Sequence, residues 1–428
     1  MKKSFKITAL FVAVLMFFFV TGCGDNAGGT LPEQQFVARE TPLTLEAIAA
    51  GTITLTNPWS TLKYKKNGGD FVSVTASANT IAVAAGDKVE FYADGSENIY
   101  DSNTDEVTAF CIGCNSDCNV YGNVMSIISS SDFKNATTIS TEYAFARLFY
   151  ENTHIKNHAT KNLVLPATTL ADFCYWVMFD GCTGLTSTPA LPATTLAVSC
   201  YGGMFYGCTG LTMMPVLPAT TLSNWCYNSM FDGCTGLMST PVLPATSLAD
   251  YCYFQMFKDC TGLTTAPVLP AMTLKNGCYD GMFKGCTGLT STPRLPATNL
   301  AVSCYYWMFK DCTGLTTAPA LPATTLDINC YYGMFCGCTG LTSSPVLSAT
   351  TLKLYCYYQM FKGCSSLNSV TCLATDISAY RCTYEWLDGV ASSGAFTKAA
   401  SMDDWSTNSD SINNGIPAGW TVQNYSAQ

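Results

Sequence analysis

One 26-residue unit recurs eight times, nearly letter for letter, between Leu165 and Cys372: L-P-A-T-T-L-A-x-x-C-Y-x-x-M-F-x-G-C-T-G-L-T-x-x-P-x. Its leading leucine returns at Leu165, Leu191, Leu217, Leu243, Leu269, Leu295, Leu321 and Leu347. The Met-Phe pair keeps the same step, from Met178-Phe179 to Met360-Phe361. A fixed period of this length means one supersecondary unit stacked on copies of itself, each covering the apolar face its neighbour leaves open. The chain therefore reads as a solenoid. Its recurring letters build the spine, and its function resides in the letters that vary.

Within a copy, Leu170, Cys174 and Met178 stand at i, i+4 and i+8, which predicts one face of a short helix stopped by Gly181 and Gly184. Pro189 and Leu191 alternate inward with Thr188 and Ala190 outward, an extended segment. A proline at that level lacks the N–H that a strand with two neighbours donates, so the strand should be short or begin there. Degenerate copies flank the regular ones. Phe145-Ala146-Arg147-Leu148-Phe149 precedes them and Cys382 to Val390 follows, which places the array at 139–398 with the eight regular copies at 165–372. Residues 399–428, carrying Phe396's successors Trp405, Ile416 and Trp420, read as a C-terminal cap.

The first 23 residues have a signal-peptide layout: Lys2, Lys3 and Lys6, then an apolar run from Ala9 to Val20. The segment closes on Val20-Thr21-Gly22-Cys23, and residues 24–40 read as a tether. From 41 to 101 the pattern alternates with period two through Leu43-Leu45, Ile53-Leu55, Leu62-Tyr64, Phe71-Val74, Ile81-Val83 and Val89-Phe91, with turn chemistry at Asn67-Gly68-Gly69 and Gly86-Asp87. That predicts a small antiparallel β-sandwich leaning on the array. Residues 102–138 form a junction or N-terminal cap.

Removing Lys2, Lys3 and Lys6 leaves 18 of the 21 basic residues against 30 acidic ones. No basic stripe exists to neutralise phosphates, which argues against nucleic acid as a partner.

Two resemblances add to this reading. The Cys23 segment is similar to the lipobox of bacterial lipoproteins, in which the cysteine is acylated (palmitate-type chains) and becomes the mature N-terminus; an ordinary cleaved secretory signal or an uncleaved anchor is the alternative. The repeat resembles the cysteine-bearing leucine-rich repeats of BspA-like bacterial surface proteins, with Leu191-Pro192 and Phe205-Tyr206-Gly207-Cys208 in the family's Leu-Pro and Phe-x-x-Cys places. The match covers about 139–398, although the unit is longer than the family's usual one and Pro189 stands where a branched aliphatic is common. The likeness implies a leucine-rich repeat solenoid of parallel β-strands plus short helices, preceded by a small all-β sandwich. It implies a Bacteroides-type lipoprotein anchored in the outer membrane, exposed on the cell surface, and used for adhesion or ligand capture.

Of the 23 cysteines, most recur as Cys-x7-Cys, such as Cys174 and Cys182. Eight helical residues would hold those α-carbons ~12 Å apart, too far for a bridge. Val390, Ala144 and Asn152 replace cysteine in the degenerate copies, so the slots read as small buried residues, a ladder of free thiols rather than disulfides. Cys111, Cys114 and Cys118 form a partial metal-ligand set lacking a fourth member, and His154 and His158 have no suitable partner nearby. No cofactor and no metal are expected. Cys336 and Cys372 stand outside the pattern.

No nucleophile elbow, phosphate loop or fixed carboxylate pair is present, so no catalytic residues are assigned and the chain reads as a binding protein, not an enzyme. The candidate ligand surface takes the outward strand positions Thr188, Ala190, Met214, Val216, Thr240, Val242, Thr292 and Arg294, with Tyr306 and Trp307 from the other face. The expected partner is an extracellular protein, bound for adhesion or host interaction. Glycan capture for nutrient uptake, using exposed aromatics, is the alternative, and a ligand-free structural spacer is the third reading. The membrane is a partner only through the anchor.

Overall fold

The computed structural model describes residues 37–101, 106–402, 405 and 415–426. The signal segment, Cys23 and most of the tether lie outside the described residues.

All six alternating segments form strands: β1 (Thr44–Ala47), β2 (Gly51–Thr56), β3 (Lys63–Lys66), β4 (Val72–Ser73), β5 (Thr80–Val83) and β6 (Lys88–Tyr92). Asn67 and Gly68 take φ of 54° and 72°, the left-handed pair at the centre of the tight turn that the Gly69 N–H closes on the Lys66 carbonyl, between β3 and β4. The sheet system runs past residue 101. After the β7 (Ile99–Asp101) and β8 (Glu106–Thr108) hairpin come β9 (Cys111–Cys114) and β10 (Cys118–Asn123). β9 joins β2 and β5 in a three-stranded antiparallel sheet, while β10 pairs with β1 in a larger one. Leu45, Ile53, Leu55, Val89, Phe91, Ile112 and Val120 from both sheets share one core, as in a sandwich.

The larger sheet does not stop at the sandwich. β10 pairs in parallel with β11 (Ile155–Asn157) and β12 (Leu163–Val164), which belong to the first, degenerate copy. The sandwich and the array are thus joined through backbone pairing.

The predicted short helices are absent. Among the described residues only Val124–Ile127 is helical, a single 3-10 turn. The segment Leu170 to Cys182 is instead a ribbon of linked turns. Cys174, Trp176, Met178 and Asp180 donate their N–H groups three residues back, to Ala171, Phe173, Tyr175 and Val177. The intervening Phe173, Tyr175, Val177, Phe179 and Gly181 donate to Val198, Cys200, Gly202, Met204 and Tyr206 of the next copy. Every fourth residue, at 173, 177 and 181, has positive φ. An α-helix keeps its N–H groups to itself and needs ~8–10 Å from its neighbour. Equivalent aromatics here recur at 5.3–5.8 Å along the phenylalanines and 5.7–6.0 Å along the tyrosines, which leaves no room for one. The spacing of four belongs to this ribbon and not to a helix. The left-handed backbone at Phe173 and Val177 costs on the order of 1 kcal/mol per residue, offset by hydrogen bonds shared between copies.

The extended segments through Pro319 follow the proline expectation. In copies bearing Pro189, Pro215, Pro241, Pro267, Pro293 and Pro319 there is no continuous ladder, only parallel bridges such as Thr195 to Thr221 and Thr221 to Ser247. A parallel sheet forms at the C-terminal end, through β13 (Ser343–Leu347), β14 (Ser369–Cys372), β15 (Gly394–Lys398) and β16 (Trp420–Asn424). Pro345 lies inside β13, at a register shift, while Val370 of β14 stands where the earlier copies have proline. The register shift between β13 and β14 pairs Leu347 with Cys372. That accounts for Cys372: it fills a leucine slot.

The core of the array consists of columns. Tyr175 to Tyr357 stack through eight copies with each ring no more than 2% exposed, and Phe149 to Phe361 run beside them. Phe145 opens the tyrosine column; Trp386 and Trp405 close it, at 6.4 and 5.4 Å. Phe396, Ile416 and Trp420 are buried with them. The whole is a sheet-and-turn stack with a 26-residue step, compatible with a repeat solenoid.

Candidate binding surface

Two faces carry the letters that vary: the outside of the extended segments and the outside of the turn ribbon.

On the strand face, side chains alternate. Pro189 and Leu191 are buried and Ala190 is exposed, so successive copies present Ala190, Val216, Val242, Val268, Arg294 and Ala320 as one column. Val216, Val242 and Val268 are 79, 76 and 74% exposed. Met213 and Met238 are exposed on neighbouring columns. The structure therefore leaves Ala190, Val216, Val242 and Arg294 open to solvent, and half-buries Thr188, Met214, Thr240 and Thr292. The column is held outward by the alternation alone, since its neighbours Leu217, Leu243 and Leu269 must fill the core.

At its N-terminal end this face falls into a groove of about 660 Å³, with Pro189, Ala190 and Met213 on one wall and Arg39, His158 and Lys161 on the other. Lys161 is bound to Glu46 at 3.0 Å, and Tyr121 donates to the same carboxylate at 2.8 Å. Burial opposes the Glu46 charge, but those two hydrogen bonds more than offset it and hold the carboxyl below its ordinary range. The His158 Nδ1 accepts from the Thr160 and Lys161 N–H groups. Burial and the adjacent Lys161 cation push its pKa down, which favours the neutral ring. His158 thus has partners that the sequence did not disclose, because Glu46 lies more than a hundred residues away in the sandwich.

On the turn face, Tyr306, Tyr332, Tyr358 and Tyr384 stack at 4.5, 4.5 and 5.2 Å. Lys284 and Lys310 lie over the Trp307 ring at 5.0 and 4.8 Å. Tyr306, Trp307 and Tyr358 are half-buried, while Tyr305 and Tyr357 belong to the internal column. These rings cover one another or are covered by cations, so they offer edges and hydroxyls to solvent rather than open faces. Stacking on a sugar needs the face of a ring. The same copies interlock across their boundaries. Trp307 lies over Gly333, where an added Cβ would meet its Cδ1 at 2.5 Å, and Tyr251 lies over Gly277 in the same way, at 2.1 Å.

The described cysteines, Cys111 to Cys382, are free thiols. One column of them is polar as well as small. Cys182, Cys208, Cys234 and their equivalents through Cys364 each donate to a phenylalanine carbonyl of an earlier copy, at 2.9–3.0 Å. Burial pushes Cys208, Cys286 and Cys364 up to about 12, so the thiol form dominates. Among the described residues no group of three or more His, Cys, Asp or Glu side chains is arranged to hold a metal ion, Cys111, Cys114 and Cys118 included. No described helix is long and apolar enough to cross a membrane.

No protein-family model matches the chain, and no curated protein matches it.

Proposed function

We propose that this chain is a BspA-like leucine-rich repeat lipoprotein, lipid-anchored through Cys23 at the bacterial outer membrane, which binds an extracellular protein in adhesion or host interaction. The observation that carries the binding reading is the column Val216, Val242, Val268, three valines in succession about three-quarters exposed. Contiguous apolar surface of this kind marks interaction sites more often than chance exposure does. The repeat builds this stripe at one position of successive copies, and it ends in the groove beside His158 and Lys161. Glycan capture finds less support, since the turn-face aromatics have their faces occupied.

The test presents the full chain to a panel of extracellular-matrix and cell-surface proteins beside a glycan array. Binding on the protein panel that falls at least tenfold when Val216, Val242 and Val268 are all changed to lysine supports the proposal. Binding on the glycan array alone, or silence on both, removes it. Radiolabelled palmitate incorporated in wild type and lost in Cys23→Ala checks the anchor separately.

A further inference from the structure

The groove beside His158 lies where the repeat gains residues. Phe149 stacks on Phe179, 30 residues on, whereas Phe179 stacks on Phe205, 26 on, so the first copy is four residues longer. Ile155 matches Leu185, since Gly184 packs on the Ile155 carbonyl as Gly210 packs on that of Leu185. Leu165 matches Leu191, each opening a Leu-Pro-Ala-Thr-Thr-Leu run. The surplus therefore falls between Ile155 and Leu165. That stretch holds the turn in which the His158 Nδ1 accepts the Thr160 and Lys161 N–H groups.

Next to this turn the copies are joined by a side chain instead of a ladder. The Asn157 Oδ1 accepts the Thr186 and Ser187 N–H groups at 2.8 and 3.0 Å, and its Nδ2 donates to the Ser187 carbonyl at 3.0 Å. The groove of about 660 Å³ opens beside it and reaches down to Phe179 and Leu185, which are at most 2% exposed. Its size is that of a small-molecule site.

The lining selects by what it lacks. Pro166, Pro189 and Pro192 have no N–H to donate, so a peptide lying between them would leave carbonyls unpaired against an apolar floor. A hydrocarbon chain meets no such cost. Arg39 and Lys161 stand at the rim. Lys161 is committed to Glu46 at 3.0 Å, whereas among the described residues no carboxylate pairs with Arg39.

We infer that the groove is a binding site for a long-chain carboxylate. Its hydrocarbon chain lies against Phe179, Leu185, Pro166 and Pro189, and its acid group takes charge-assisted hydrogen bonds from the Arg39 guanidinium. This ligand is additional to the protein bound by the valine column, and its site does not depend on that protein.

The experiment titrates dodecanoate into the full chain by calorimetry, beside dodecyltrimethylammonium, the same tail with the opposite charge. Dodecanoate should bind saturably, and about tenfold or more tighter than the cation. Arg39→Glu should remove that preference. Ala190→Trp, which fills the groove from an exposed wall, should abolish the binding. Dodecanoate carrying a diazirine at its tail end, photolysed with the wild-type chain, should label peptides that line the groove, a readout that stands even if a variant folds poorly. Absent saturable binding, equal affinity for the two tails, undiminished binding in Ala190→Trp, or label confined to the apolar run from Ala9 to Val20 overturns the assignment.

Discussion

The Cys234 thiol donates to the Phe205 carbonyl at 3.0 Å across a copy boundary, and that carbonyl also accepts the Cys208 N–H at 3.2 Å. The carbonyl is one of the ribbon's intervening acceptors, which no N–H of another copy reaches, and the thiol satisfies its second lone pair. The slot thus wants a small residue and rewards one that can donate. Cys234→Ala should cost about 2 kcal/mol, combining a small cavity with the lost bond. Cys234→Val keeps the volume and should cost about 1 kcal/mol or less. Urea denaturation of both variants checks the order; equal losses would mean that the cavity contributes nothing.

The thiols should be silent until the array opens. Of the 22 described cysteines, only Cys111, Cys114 and Cys336 are half-buried, and the other 19 are buried. A thiol reagent should therefore titrate at most three sites in the native protein and most of the 22 in denaturant without reductant. Fewer than half appearing would mean the columns carry disulfides.

Copy boundaries should be sensitive to small residues that lie under large ones. Gly333 sits at φ of 54° beneath Trp307. Gly333→Ala should destabilise the protein by ~1–3 kcal/mol, part from the left-handed backbone and part from the ring above. Trp307→Ala in the same chain should recover the second part. A double-mutant cycle giving no coupling would show that the ring yields freely.

Asp280 gives the stack a pH dependence. Burial raises its carboxyl to about 7, with Lys284 acting the other way. An acid whose folded pKa is raised is fully favourable to the fold below its unfolded pKa, and that contribution is lost as pH climbs through the folded value. Stability should decline between about pH 4 and pH 7 on this account. Asp280→Asn should be more stable than wild type at pH 8 by on the order of 1–2 kcal/mol, with the gap closing at pH 4. Thermal melts across that range test the sign.

The period, the core slots and the sandwich strands were legible because each depends on where apolar residues fall. Leu45, Ile53 and Phe91 alternate as β-strands must, and Trp405 and Trp420 announced a cap by being large and apolar beyond the last copy. The turn ribbon was not legible, since Cys174, Met178 and Cys182 keep the spacing a helix would have. Its backbone shows most fully in Gly277, Gly281 and Gly285, which recur every fourth residue at φ of 55°, 59° and 74°, and in the pairs Gly203–Gly207 and Gly333–Gly337. Where Phe173 or Val177 takes the same conformation, no letter reveals it. On the strand face, strict alternation leaves Ala190 and Val216 exposed, while Thr188 and Met214, each beside a proline, are half-buried. The Glu46–Lys161 link to the groove depends on a pairing of β1 with β10 that local sequence cannot disclose.

The parallel seam of β10 with β11 and β12 makes the sandwich a template as well as a lid. It offers the first copy the edge that each copy then offers the next, and the closing Trp386–Trp405 stack asks only for a tyrosine before it. Neither end registers how many copies lie between. Duplication or loss of one 26-residue module would then lengthen or shorten the exposed valine stripe in whole steps, and a lineage could tune its grip on a partner by counting modules instead of redesigning them.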